Sequence, residues 1–266
     1  MRRASLVLIA LAAPLYGQLP FYTDDPSVTA SGKWHIEFFN EFDALQPEQF
    51  PDLRQNTANF KVNTGLPFHL ELDFDTPHLA IFRALEGQPN SRGLGDTNLG
   101  IKWNFHRHHT NSRIPALAAS LYIEFPTGDE TEELGSGLRD YWFNFIGQQA
   151  LGGRTRLTSN LGILFAGNTS TGVIGIQTRR GRVYTGGVSI LRDFTPRLTL
   201  GVEVYGGYAS DPGLARSQLQ AMLGGAYAIR KDFGFTFGLL GGEYAASPRI
   251  GGQVGFSVDF PPSHSP

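Results

Sequence analysis

The chain has 266 residues, no cysteine, and 22 Lys and Arg against 24 Asp and Glu, for a formal charge of −2. The missing cysteine excludes disulfide frameworks, thiolate metal sites and cysteine nucleophiles. The balanced charge, with no run of one sign, argues against nucleic acid as a partner, because that binding rests on neutralising phosphates.

Arg2 and Arg3 precede the apolar run Leu6 to Ala13, and small residues follow to Gly17. This is the layout of a secretory signal peptide, so residues 1–17 are expected to be cleaved off, before Gln18 or slightly earlier, after Ala12 or Ala13. Pro14 and the shortness of the run, against the ~20 residues of a spanning helix, argue against a membrane anchor. Residues 18–32 are expected to lie in the periplasm. The longest uncharged stretch beyond the signal, Leu157 to Thr178, carries Asn160, Asn168, four Thr and two Ser. A lone spanning helix does not bury such groups, so this chain enters a membrane only as a closed barrel.

Strict alternation of apolar and polar residues, the period of a strand with two unlike faces, recurs along the remaining chain. His69, Glu71, Asp73 and Asp75 alternate with Leu70, Leu72 and Phe74; Asp96, Asn98, Gly100 and Lys102 alternate with Thr97, Leu99, Ile101 and Trp103. Farther on, Leu198, Leu200, Val202 and Val204 alternate with Thr199, Gly201, Glu203 and Tyr205. The pattern predicts strands at 33–43, 55–64, 68–82, 94–105, 114–125, 139–150, 154–166, 182–192, 197–208, 217–229, 233–244 and 249–260. Each is about ten residues long, which suits a tilted strand crossing a bilayer. Pro77 marks the third as a strand with a missing ladder donor.

The links support the same reading. Long links at 46–54, 84–93, 126–138, 167–181 and 209–216 alternate with short ones at 65–67, 151–153, 193–196 and 230–232; the link at 106–113 is intermediate and the last, at 245–248, is short. In outer-membrane barrels long loops face outward and tight turns face the periplasm. Trp34, Phe105, Tyr227, Phe233 and Phe260 are expected near the periplasmic rim, and Tyr141, Tyr184 and Tyr208 near the outer one. Gly162, Gly201, Gly224, Gly238, Gly251 and Gly255 fall on the inward face, where they either leave lumen space or let the sheet bend.

The segment Gly93-Leu94-Gly95-Asp96-Thr97-Asn98-Leu99-Gly100, followed by Pro126-Thr127-Gly128-Asp129 at the end of the next strand, resembles the signature of a family of Gram-negative outer-membrane barrels associated with phenol degradation (the MetA pathway) and often described as transporter-like. The opening Thr23-Asp24-Asp25-Pro26 and the glycine-rich carboxyl half are similar as well. The resemblance implies a twelve-stranded barrel passing small apolar or aromatic compounds, with no catalytic residues. The chain departs from a common barrel ending in that Phe260 is followed by a tail, 261–266, instead of closing the sequence.

Alternation places Glu37, Glu41, Glu71, Asp73, Asp75, Glu124 and Glu203 on the inner face, with Lys61, Lys102 and Arg156 as counter-charges, because charges facing lipid are costly. Two roles stand open for them: lining an acid-rich passage that favours cations or neutral solutes over anions, or forming salt bridges that fill a closed lumen. Asp96 binds a cation or substrate, or accepts backbone amides and holds a turn, the second being the commoner role. The run His106-Arg107-His108-His109 has imidazoles but no carboxylate nearby in sequence, so a solvated turn is favoured over a metal site. His35 and His69 are candidates to face each other at the lower end of the lumen. Ser120 and His78 are the residues a barrel hydrolase would draw on, but no Gly-x-Ser-x-Gly elbow surrounds a serine.

The sequence therefore reads as all-β: a transmembrane antiparallel up-and-down barrel of about twelve strands over residues 33–260, exported to the outer membrane. Its expected partners are membrane lipid and a small-molecule solute, and no cofactor, metal or catalytic residue is assigned. Passive channel is the leading function, with a non-conducting structural or adhesive barrel next and a lipid hydrolase last.

Overall fold

The computed structural model describes residues 20–107, 114–166, 181–209 and 217–261. Among these described residues thirteen strands are formed: β1 (Trp34–Ala44), β2 (Asp52–Leu66), β3 (Leu70–Arg83), β4 (Ser91–Leu94), β5 (Thr97–His106), β6 (Ala116–Phe125), β7 (Asp140–Ala150), β8 (Thr155–Ala166), β9 (Gly181–Asp193), β10 (Leu198–Ala209), β11 (Gln218–Arg230), β12 (Phe233–Glu243) and β13 (Ile250–Phe260). Chain neighbours pair antiparallel, and β1 pairs with both β2 and β13, which closes the ring. The strands β4 and β5 both lie against β3, at Leu79↔Gly93 and at Asp73↔Gly100. They are one barrel strand with a break at Gly95-Asp96, so the barrel is twelve-stranded. The break sits opposite Pro77, whose carbonyl accepts the Gly95 N–H at 2.8 Å. In an antiparallel ladder one residue's N–H and C=O point to the same neighbour. The donor that proline lacks is thus missing on the side where the strand lets go.

Alternation sorts the side chains as a membrane requires. On β10, Glu203 is 2% exposed while Val202 and Val204 are 51% and 54% exposed. Leu223 on β11 and Leu239 on β12, Cα partners on the outer face, are similarly bare to the surroundings. An apolar exterior over a polar interior is the inverse of a water-soluble fold and fits hydrocarbon outside. Leu223→Arg is expected to destabilise the barrel in lipid vesicles by about 2–4 kcal/mol, the cost of a midplane cation on the lipid face. Urea-induced unfolding in vesicles measures it, and an unchanged midpoint would count against membrane contact at that position.

One end of the barrel carries the short links and both ends of the ring, where Trp34 and Phe260 are Cα partners. Both rings are exposed, and Phe105 and Tyr227 stand exposed toward the same end. Phe233 instead stacks on Phe256 at 5.9 Å between ring centroids. At the other end Tyr184 and Tyr208 are outward Cα partners, and Tyr141 is exposed on the same rim. The links at 167–180 and 210–216 and the tail at 262–266 lie outside the described residues, as do residues 1–19.

The segment before β1 departs from expectation. Residues 20–31 do not hang below the barrel; they climb inside it. Ser31 bridges Gly65 at the short-link end, Asn104 Nδ2 donates to the Pro26 carbonyl at 2.6 Å, and Phe21 packs on Met222 and Leu240 across the bore. A twelve-stranded bore is wider than the eight-stranded one that wall side chains alone can fill, and its inward polar groups need partners. The segment provides both bulk and amides. Inward glycines make the room: a Cβ on Gly201 would meet Phe21, one on Gly224 or Gly238 would meet Pro20, and one on Gly187 would meet Thr23. The other inward glycines are packed by the wall itself, Gly251 beneath Asp43, Gly162 beside Thr185 and Trp142, and Gly255 beside Thr236.

Candidate functional site

Every acid and base expected on the inner face lies there, but the lumen is lopsided. The wall from β1 to β7 carries most of the charge, whereas the wall from β8 to β12 presents mainly Gly, Thr, Ser, Asn and Gln with apolar Val183, Met222 and Leu240 among them, Glu203 in its middle and Arg156 at its rim. The registers Glu37↔Lys61, Lys61↔Asp75, Asp75↔Asn98, Asn98↔Glu124 and Glu124↔Asp140 join six inward residues into one continuous row across six strands. Barrel strands tilt by roughly 35–45°, so a row perpendicular to them climbs the lumen. It starts near the short-link end at Glu37 and finishes at Asp140, the first residue of β7 at the long-link end.

Lys102 and Glu71 are Cα partners. The Lys102 ammonium lies 3.1 Å from Glu71 and 3.3 Å from Asp24 of the lumen segment, and Glu71 also accepts the Thr29 N–H. On the opposite wall Glu203 accepts the N–H groups of Tyr22 and Thr23. Glu41 takes the Tyr22 hydroxyl at 2.6 Å and the Gln253 amide at 2.9 Å. The segment is therefore tied to both walls. Tyr122 donates to Asp73 at 2.7 Å, and Asn98 to Asp75 at 3.2 Å. Arg156 stands apart, paired with Asp193 at 3.0 Å at the short-link rim.

The two glycine-rich signature segments bind each other. Asp96 accepts the N–H of Gly128 at 3.0 Å and of Ser136 at 2.8 Å. Thr127 Oγ1 donates to the Gly95 carbonyl at 2.9 Å. Asp96 is thus an amide anchor, as the commoner of its two expected roles has it, but for a segment 32 to 40 residues away instead of its own turn. The anchored link, 126–139, folds into the long-link mouth, where Leu134 is buried against Leu79 and Ile81. Arg83 clamps it, 2.6 Å from Glu133 and 3.1 Å from Asp52. At the link's exposed start, Asp129 accepts the amide and hydroxyl of Thr131, which hold its carboxyl below the usual carboxylate range.

Between the segment and the link remains a cavity of about 270 Å³. Phe21, Tyr22, Phe39, Tyr122 and Trp142 line it with rings, and the row from Glu37 to Asp140 lines it with charge. Tyr122 and Trp142 lie 6.2 Å apart between ring centroids.

The histidines form no common site. His35 lies between Asp259 at 2.7 Å and Glu37 at 3.1 Å, while His69 is exposed in the β2–β3 turn. The two do not face each other, because His69 adopts a left-handed turn conformation (φ 61°) that ends the strand alternation before it. His106 Nδ1 contacts the Pro115 carbonyl at 3.1 Å, and His108 and His109 lie outside the described residues. Among the described residues no three His, Asp or Glu come together as a metal site. Ser120 faces the lumen and His78 faces outward, so the wall separates that pair. Reading the strands missed Asp24, Tyr22, Asp140 and Asn144, which also face the cavity. The first two belong to an extended segment without alternation; Asn144 was visible as an inward residue of 139–150 but carries no charge.

Among solved structures, an outer membrane channel from Pseudomonas putida F1 superimposes with a TM-score of 0.71 at 12% identity, covering 89% of this chain and 98% of that one. The NanC porin follows at 0.56, with 7% identity and coverage of 85% and 98%. The KdgM porin in complex with disordered oligogalacturonate scores 0.54, with 10% identity and coverage of 84% and 98%. At such identities the likeness is one of fold. No curated protein matches the chain. The family described as "Putative MetA-pathway of phenol degradation" matches residues 23–260, from the lumen segment to the end of the last strand, and the chain belongs to that family.

Proposed function

We propose that the protein is an outer-membrane channel through which small hydrophobic, aromatic or weakly polar molecules pass passively. The observation that carries this reading is the cavity of about 270 Å³ kept open between two elements that otherwise fill the lumen. Small-molecule sites usually measure ~300–1,000 Å³, so this space suits a molecule about the size of a single substituted ring. Five aromatic side chains supply an apolar surface for such a solute, and the polar row keeps the passage wetted. Export by a cleaved signal at residues 1–17, lipid contact along the outer wall and the absence of catalysis belong to the same reading, supported by the channel-type fold of the structural neighbours.

A non-conducting barrel is the second reading, favoured by the segment's attachment to both walls through Glu203 and Lys102. Reconstitution into planar bilayers separates the two. A channel is expected to give stepwise conductance, and vesicles carrying it to swell in small neutral aromatic solutes. Correctly folded protein that gives neither would leave the non-conducting barrel.

A further inference from the structure

The row from Glu37 to Asp140 has a chemistry that a passage for neutral solutes does not need. It carries Glu37, Asp75, Glu124 and Asp140 against Lys61, the single Lys or Arg among the described residues lining the cavity. Asp24 and Asp96 line it too, but Asp24 is paired with Lys102, Asp96 accepts the Gly128 and Ser136 amides and Glu37 is met by His35, so the surplus of acid falls toward Asp75 and Glu124. Buried like charges raise one another's energy unless a cation balances them.

A second observation points the same way. Asn144 is 7% exposed, lines the cavity, and its Oδ1 accepts no hydrogen bond; the buried Oε1 of Glu124 accepts none either. These are acceptors without donors, and a primary ammonium is all donor: three N–H groups and no acceptor. Two residues below the Glu124 and Asp140 end of the row, on the same two strands, stand Tyr122 and Trp142 as Cα partners. Their rings provide faces on which an aromatic body rests and toward which a cation is drawn. A bare metal ion fits less well, since no three carboxylates or imidazoles among the described residues converge on one point.

We propose that this row is a track for organic cations, specifically ammonium compounds with an aromatic or apolar body, whose charged end moves along the carboxylates while the body slides over Tyr122 and Trp142. This rests on the channel reading above and gives it a solute class.

Two measurements keep the two ideas apart. In planar bilayers under a KCl gradient, the wild-type protein is expected to favour cations over anions by about fivefold or more, as acidic side chains lining a pore do. Benzylammonium is expected to permeate while benzoate does not. By titration calorimetry in detergent, benzylammonium chloride is expected to bind saturably and potassium benzoate not at all. The double substitution Glu124→Gln with Asp140→Asn is expected to remove most of the cation preference and to cut the benzylammonium affinity by about tenfold, the effect of a 1.4 kcal/mol loss, and Lys61→Gln is expected to raise the preference. Folding of each variant is checked by its heat-shifted migration on gels, and the wild-type measurements decide even if a variant fails to fold. Saturable binding without conductance would overturn the channel and keep the cation site. Conductance with no cation preference and no benzylammonium binding would overturn the track and keep the channel. Neither binding nor conductance would overturn both.

Discussion

Replacing Lys102 by Met is expected to raise the single-channel conductance severalfold and to destabilise the barrel by about 3 kcal/mol, the usual cost of removing one partner from a buried ion pair. The Lys102 side chain is almost wholly buried between Glu71 of the wall and Asp24 of the lumen segment. Methionine keeps the bulk and removes the charge, so two carboxylates are left close together without their cation. Glu71 cannot move, being on a paired strand, whereas Asp24 can leave with its segment. The bore then widens from the β5 side, even though Glu203 still accepts the Tyr22 and Thr23 amides. The absence of native cysteine allows a clean reporter: with Ser27→Cys added, a bulky maleimide is expected to label the Lys102→Met protein faster than its parent. Equal labelling and equal conductance would mean that Lys102 does not hold the segment in place.

The second large effect is expected at Asp96. Asp96→Ala takes the acceptor from two N–H groups, those of Gly128 and Ser136, the latter on a buried residue. An unmet buried donor costs about 1–3 kcal/mol, and bonds to a carboxylate are stronger than neutral ones. A loss of about 2–4 kcal/mol follows, read as a lower urea midpoint in vesicles. The link 126–139 would then come away from the mouth, taking Leu134 from Leu79 and Ile81. Trypsin reaches the link through the exposed Arg139, and cleavage there is expected to quicken. Asp129→Asn is the contrast within the same link. It alters an exposed carboxylate bonded to Thr131, and is expected to change stability by less than about 0.5 kcal/mol, as surface substitutions usually do. If Asp96→Ala left both the midpoint and the cleavage rate unchanged, the link would be held by the Arg83 clamp alone.

The pairing of the two signature segments gives a physical reason for their joint presence. Gly95 and Asp96 interrupt a strand where Pro77 accepts one hydrogen bond from it but has no N–H to return. The interruption frees a carboxylate and a carbonyl to hold Gly128, Ser136 and Thr127. Glycine is needed on both sides of that contact: in the link, a Cβ on Gly128 would meet the Leu134 backbone and one on Gly135 the Asp96 carboxylate, and on the strand side one on Gly95 would meet the Leu79 and Pro77 side chains.

The strands themselves were legible to within three residues, the largest differences being at Asp52 and Ser91, which begin pairing earlier than alternation suggested. Which side chains face inward was also legible for the most part, including Glu37, Lys61, Asp75 and Glu124 of the row, though Asp140 at its end was not singled out. The row was not. Alternation assigns each residue a face but carries no information about register, so Glu124 and Asp140, 16 positions apart, look unrelated until β6 and β7 are paired. The lumen segment was hidden for a stronger reason: its contacts span up to 181 positions, from Tyr22 to Glu203, and an extended stretch with no period bears no mark of what it will touch.

A period of two is a local property of a strand, set by the backbone geometry of each residue, and it was enough to specify a closed sheet with hydrocarbon outside and charge inside. How wide the passage is, and what occupies it, came only from closure of the ring. That event puts β5 and β10 on opposite sides of one bore, turns separate carboxylates into a climbing row, and traps residues 20–31 between walls that no local pattern connects.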